Sequence, residues 1–139
     1  MADAAPTVLI TGATSGLGRY LARELASSGW QVLAHGRDPV RVADSCAELG
    51  GGARGLVADL ARLGDVRELA ATIRAEVPRL DVLVNNAGIG FGPPGEMRQV
   101  SADGHELRFA VNYLAPVLLT RLLMPLLTEI GRASCRERV

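Results

Sequence analysis

Residues 7–18, Thr-Val-Leu-Ile-Thr-Gly-Ala-Thr-Ser-Gly-Leu-Gly, constrain the chain more than any other stretch. Thr7–Ile10 is a short β-branched, apolar run, which suits a strand buried on both faces. Gly12, Gly16 and Gly18 then break it. From Leu17 a helical period begins, with Leu17, Leu21, Leu25 and Ala26 on one face and Arg19, Arg23 and Glu24 largely off it. Strand, glycine turn and helix is the layout that holds a phosphate. The glycines let the backbone turn sharply and approach a ligand, and the free N–H groups of the helix start face the anion. The spacing Gly-x-x-x-Gly-x-Gly differs from the commonest dinucleotide fingerprint, so the flanking strand and helix carry much of the argument. The bland alternative is an ordinary glycine-rich turn in an α/β domain.

Taken in order, the rest of the chain repeats the alternation. Gln31–His35 reads as a second strand, and Gly36-Arg37-Asp38-Pro39 as a turn with Pro39 placed to open a helix. That helix carries Val42, Cys46 and Leu49 on one face and stops at Gly50-Gly51-Gly52. Arg54–Ala58 is a third strand closed by Asp59-Leu60, and residues 65–76 form a helix with Val66, Leu69, Ala70 and Ile73 inward. Leu80–Val84 is a fourth strand running into Asn85-Asn86-Ala87-Gly88. Residues 89–100 hold glycines, prolines and little period, and read as a loop. A long helix is predicted from near Ser101, its inner stripe Leu107, Val111, Leu114, Leu118 and Leu122. The fold class is therefore α/β, a doubly wound parallel sheet. Right-handed crossovers and one switch of direction give the strand order 3-2-1-4.

Composition narrows the chemistry. At 139 residues the chain fits one domain, and aromatics at 4 % point to an aliphatic core. Zero net charge implies no nucleic-acid or other polyanion partner. Two cysteines, Cys46 and Cys135, are too few for a disulfide framework or a metal site. No charged-plus-apolar leader and no apolar run long enough to span a bilayer is read, so a cytoplasmic protein without a membrane partner is expected. All fifteen basic residues are arginine. Chemistry that needs a lysine is thus outside this chain.

The motifs TGATSGLG, the Asp59 that ends the third strand, NNAG at 85–88 and Asn112 together resemble the short-chain dehydrogenase/reductase family, in register from about residue 7 to 128. Within it, HGRDP, DLARL and FAVNYLAPVLLTRLL most resemble the branch of retinol dehydrogenase-like and protochlorophyllide reductase-like members. The resemblance implies a Rossmann fold and hydride transfer between a nicotinamide cofactor and a small carbonyl or alcohol substrate. It implies that Gly12, Ser15, Gly16, Leu17 and Gly18 line the pyrophosphate and adjacent ribose. Asp59 would accept from the adenine amino group beside Leu60, and Asn86, Ala87 and Gly88 would pass the cofactor ribose. Asp59 as a plain cap and Asn-Asn-Ala-Gly as a plain turn are the structural alternatives. Asn112 is placed in the catalytic apparatus through its backbone carbonyl, which in the family holds a water of the proton relay. The sequence supplies a reason for that carbonyl to be free: its i+4 residue is Pro116, which has no N–H, so a kink is expected there.

Cofactor choice reads as NADP, with NAD less favoured. NAD-preferring folds place an acid at the end of the second strand. Here the strand ends His35-Gly36, Gly36 leaves room, and Arg37 can hold a 2′-phosphate through two N–H groups. Asp38 is the competing candidate, as a ribose acid, and Ser15 stands where some NADP-dependent relatives carry a basic residue. A nucleotide-sugar epimerase of the extended relatives shares the fold, but its usual Gly-x-x-Gly-x-x-Gly is not the spacing found. A non-catalytic dinucleotide-binding module is the reading from another class.

The family's Tyr-x-x-x-Lys, in which one helical turn sets an ammonium beside a phenol to lower its pKa, is not in this chain. Its tyrosines, Tyr20 and Tyr113, are followed four residues on by Glu24 and Val117. Residues 1–128 are read as the N-terminal part of a Rossmann domain. Residues 129–139, EIGRASCRERV, resemble the conceptual translation of a sequencing-library adapter and are read as a non-native tail. Val117–Leu127 is apolar nearly all round, and the remaining half of such a domain, a homo-oligomer through the 101–128 helix, or both are expected to cover it. The 139-residue chain mixed with NADPH and a panel of aldehydes and ketones is expected to show no turnover above a heat-killed control, followed by the absorbance of the reduced nicotinamide.

Overall fold

The computed structural model describes residues 4–95 and 97–136, and of 128–136 the backbone alone. Strands and helices alternate: β1 (Thr7–Ile10), α1 (Gly16–Ser27), β2 (Gln31–Gly36), α2 (Pro39–Leu49), β3 (Arg54–Val57), α3 (Leu63–Glu76) and β4 (Val82–Val84). After a loop come α4 (Leu107–Phe109), a π-helical turn (Ala110–Leu114) and α5 (Ala115–Arg136). The strands form one parallel sheet in the order β3-β2-β1-β4, the expected doubly wound arrangement. Val8, Leu9 and Ile10 stand opposite Val32, Leu33 and Ala34 on one side and Val82, Leu83 and Val84 on the other.

Period-two alternation sorts the strand side chains between two layers of helix. Leu9, Leu33 and Leu56 join Val66, Leu69 and Ile73 of α3 and Ala115, Leu119 and Leu123 of α5 in one core. Val8, Ile10, Val32 and Ala34 point the other way and meet Ala22, Leu21 and Leu25 of α1 and Cys46 and Leu49 of α2. On α1 the face that meets the sheet is centred on Gly18 and Ala22. That centring turns Leu17 outward, where it is 73 % exposed, and corrects its expected place on the inner face.

The long helix departs from expectation in its start and in its face. It begins at Leu107, not near Ser101. Residues 99–107 instead close a tight turn: Ser101 and His105 pair backbone to backbone, and Gly104 takes a left-handed φ of 85°. The Leu107 N–H donates to the Gln99 carbonyl, and the Glu106 side chain caps the helix by accepting from the Phe109 N–H. Asp103 leaves this turn altogether and accepts from the Leu63 N–H, capping α3 from forty residues away.

The irregularity expected at Asn112 takes the form of the π-turn. The Ala115 N–H bonds back to the Ala110 carbonyl, five residues away instead of four. A π-turn takes up one extra residue, so every side chain after it moves one position around the helix. The buried stripe is accordingly Val111, Ala115, Leu119 and Leu123. The expected Leu114, Leu118 and Leu122 are only half-buried beside it.

A further correction concerns membranes. Leu107–Leu127 is a helical stretch of 21 residues long and apolar enough, by length and composition, to cross a bilayer. Arg108, Asn112, Pro116, Thr120, Arg121 and Pro125 interrupt the run in sequence, but they do not lower its average below that of a span. Ala115, Leu119 and Leu123 of this helix are buried in the core. Of the expected tail 129–139, residues 137–139 lie outside the described residues, and the backbone to Arg136 continues α5.

Replacing Leu119, 1 % exposed, with Ala is expected to cost about 2–5 kcal/mol of stability, read by chemical denaturation. Leu122→Ala is expected to cost distinctly less, because the π-turn has moved it off the buried stripe. Equal losses would contradict the shifted face.

Candidate active site

The cleft is built where β1 and β4 end side by side. Thr11, 2 % exposed, follows β1, and its hydroxyl accepts from the Asn86 and Ala87 N–H groups at 3.1 and 3.0 Å. The same hydroxyl donates to the Val84 carbonyl at 3.4 Å. Asn86 returns the tie, its Nδ2 donating to the carbonyls of Thr11 and Gly12, both at 3.1 Å. Residues 84–87 and the glycine turn are therefore one hydrogen-bonded body.

Glycine is required here by space. Gly12 has φ 66°, and a Cβ on it would lie 2.9 Å from the Ala87 Cα. A Cβ on Gly18 would lie 2.2 Å from the Gly12 carbonyl oxygen and 2.4 Å from Asn86 Nδ2. Both separations are far inside the contact distance of non-bonded atoms, so α1 can sit on the turn only with hydrogen at position 18. The start of α1 carries no acidic side chain in its first turn, and the N-cap Ser15 makes no side-chain cap. Its first N–H groups are thus open to an anion.

An open cleft of about 480 Å³ runs from this turn across the carboxyl ends of the strands. Of the residues expected from the sequence, Gly12, Ser15, Arg37, Asp59, Leu60, Asn86, Ala87 and Gly88 line it. Gly16, Leu17 and Gly18 do not: Gly16 and Leu17 are exposed in the first turn of α1, and Gly18 is buried beneath it. Asn112 does not line it either. Its side chain is spent on Ile89, with Nδ2 donating to the Ile89 carbonyl at 2.9 Å and Oδ1 accepting from the Ile89 N–H at 2.8 Å. This clamp ties the π-turn to the segment after β4. Pro116 still offers the Asn112 carbonyl no i+4 donor.

The turn after β2 brings both competing residues, Arg37 and Asp38, to the cleft. Asp38 is the N-cap of α2, its Oδ1 accepting from the Val40 and Arg41 N–H groups at 2.9 and 3.3 Å. Arg37 and Arg41 both line the cleft. Neither forms an ion pair among the described residues. Gly36 has a packing reason as well: a Cβ there would lie 2.6 Å from Thr14 Cγ2 and 2.7 Å from Val42 Cγ2. The Cβ direction at Gly36 is thus filled by those side chains, while Gly36 itself lines the cleft beside Arg37. Asp59 does cap its own segment, Oδ1 accepting from the Ala61 N–H at 3.0 Å, while standing in the cleft.

Sequence reasoning missed Thr11, Arg41 and His35. His35 is 3 % exposed at the floor of the cleft. The signal was available, since it is the one ionisable residue in the buried run Val32–His35.

A sequence profile of the short chain dehydrogenase family matches residues 6–135. The chain belongs to that family. Mouse retinol dehydrogenase 14 is 43 % identical over 136 residues, covering 87 % of this chain and 40 % of the relative. Protochlorophyllide reductase A of Hordeum vulgare is 46 % identical over 123 residues, covering 84 % and 31 %. The chain thus spans well under half the length of these relatives. Among solved structures, the Pseudomonas aeruginosa RhlG/NADP active-site complex superposes with a TM-score of 0.76 at 31 % identity, over 90 % of this chain and 49 % of that one. A metagenomic short-chain oxidoreductase in complex with NADP gives 0.74 at 34 % identity, over 86 % and 55 %.

Thr11→Val removes the hydroxyl while keeping the shape, and strands the Asn86 and Ala87 N–H groups. A loss of about 1–3 kcal/mol is expected in denaturant unfolding. Thr11→Ser, which keeps the hydroxyl, is expected to recover most of it.

Proposed function

We propose that this chain is the dinucleotide-binding portion of an oxidoreductase that moves a hydride between NADP(H) and a carbonyl or alcohol carbon. The observation that carries the cofactor choice is a pair of guanidinium groups, Arg37 and Arg41, in a cleft where the neighbouring Asp38 is engaged as a helix cap. A carboxylate holding a ribose diol there would repel a 2′-phosphate; one accepting from α2's own N–H groups is partly neutralised and held in place. The names of the two solved NADP complexes accord with this reading.

The residues present fit a dinucleotide. Gly12 and Gly18 keep the turn free of side chains, and the uncapped first turn of α1 offers N–H groups to a pyrophosphate. Arg37 and Arg41 would hold the 2′-phosphate, and Leu60 and the free oxygen of Asp59 would face the adenine. Asn86, Ala87 and Gly88 would pass the ribose nearer the nicotinamide. When bound, the nicotinamide supplies or accepts the hydride. This chain's part is to bind and orient. Asn112 positions the π-turn against Ile89, and its carbonyl is available to a relay water.

The alternative, a dinucleotide-binding module without catalysis, uses the same cleft and is favoured only by the absence of Tyr-x-x-x-Lys from these 139 residues. Phe109, Tyr113, Val117 and Met124, all more than 40 % exposed, support a homo-oligomer through the outer face of the long helix.

Isothermal titration is expected to give tighter NADPH than NADH binding. Arg37→Ala should weaken NADPH by about 1–3 kcal/mol, the scale of a charge-assisted bond, with NADH nearly unchanged. Equal affinities in the parent would defeat the NADP reading.

A further inference from the structure

His35 is held at both ring nitrogens. Its Nδ1 accepts from the Gly12 N–H at 3.3 Å, and its Nε2 lies 3.0 Å from the Ala58 carbonyl oxygen. An acceptor at Nδ1 and a carbonyl at Nε2 are compatible only with the neutral ring protonated on Nε2. The backbone repeats the link, since the Ala13 N–H donates to the His35 carbonyl at 2.8 Å. The imidazole thus spans the cleft floor from the glycine turn to the end of β3, one residue before Asp59. On the far side of Gly12, Asn86 holds the carbonyl. The turn is gripped at its N–H by β2 and at its C=O by the segment after β4.

We propose that neutral His35 is a positioning residue for dinucleotide binding: it fixes the spacing between the glycine turn and the adenine-side residues Asp59 and Leu60, and its protonation releases that tie. A proton on Nδ1 would face the Gly12 N–H, donor against donor. Burial holds the His35 pKa below the ordinary histidine value, opposed in part by the Ala58 carbonyl. Above about pH 6.5 the ring is neutral in folded and unfolded chains alike, and the stabilisation is lost as pH falls below that value and through the lower folded one. Other ionisable groups lining the cleft are Arg37, Asp38 and Arg41 at the β2–α2 turn and Asp59 after β3. The β1–α1 turn and residues 86–89 add none to its lining. The proposal rests on the dinucleotide reading of the cleft but not on NADP over NAD.

Two measurements on the 139-residue chain test it. In a nitrogen-15 spectrum of the imidazoles at about pH 7.5, His35 is expected as the neutral Nε2–H tautomer, with the Gly12 amide shifting as His35 titrates. The Nδ1–H form, or a charged ring at that pH, would overturn the proposal. NADH is then titrated into the parent and into His35→Asn, which keeps a polar δ position and cannot be charged. As pH falls from about 7.5 through the folded His35 transition seen in the same nitrogen-15 titration, the parent should lose affinity about tenfold, and the variant much less, the scale of one stranded hydrogen bond. NADH is the probe because a 2′-phosphate titrates in the same range. Equal pH slopes in the two proteins would defeat the role of His35 alone. A parent that binds neither NADH nor NADPH would defeat the dinucleotide reading and the proposal with it. If the variant fails to fold, the tautomer decides.

Discussion

Everything at the carboxyl edge of the sheet depends on how closely backbone can approach backbone at Gly12. Its Cα side presses on Ala87, its carbonyl lies under Gly18 and accepts from Asn86, and its N–H reaches His35. No side chain larger than hydrogen fits at 12 or 18, because the added carbon would sit inside contact distance of backbone atoms that are themselves tied. Thr11 supplies the adjoining weld from β1 to β4. The result is a concave floor tied together by its own hydrogen bonds, which suits the dinucleotide site proposed for it.

The long helix shows how one residue's chemistry reorganises a face. Pro116 removes the donor for the Asn112 carbonyl, and the π-turn ending at Leu114 absorbs the disruption without breaking the helix. The extra residue rotates the remainder of the helix, so Leu119 and Leu123 enter the core. The same local widening places the Asn112 side chain on Ile89, linking the helix to the segment that leaves β4. A feature read from sequence as a proline defect is therefore also a positional device, setting one core face and one wall of the cleft.

Much of the candidate site was legible before folding. The glycine spacing, Asp59 and Asn86-Ala87-Gly88 mark chain reversals at strand ends, and in a parallel sheet all such ends gather at one edge. Positions that touch the cleft through tertiary contacts were less legible. Arg41 lies a helical turn beyond Arg37, and its place at the cleft depends on the angle at which α2 leaves β2. Asp38 read as a rival ligand because an acid in that position has two uses, and only the structure shows that its Oδ1 caps α2 through the Val40 and Arg41 N–H groups. His35 stood out as the ionisable residue of a buried strand, but its ring bonds to Gly12 and Ala58 were not legible, since both partners are remote in the chain.

By itself, the sequence determined the alternation of strand and helix, the 3-2-1-4 order, and the family, because period, turn chemistry and the handedness of crossovers are local properties. It also determined that this chain carries no lysine. Tertiary structure alone decided the rotation of α5, the outward turn of Leu17, the protonation form of His35 and the cap that Asp103 gives α3. Each of these depends on distances between residues remote in the chain. Such distances are set by packing, where a one-residue shift or a single Cβ chooses between alternatives that the linear pattern leaves equal.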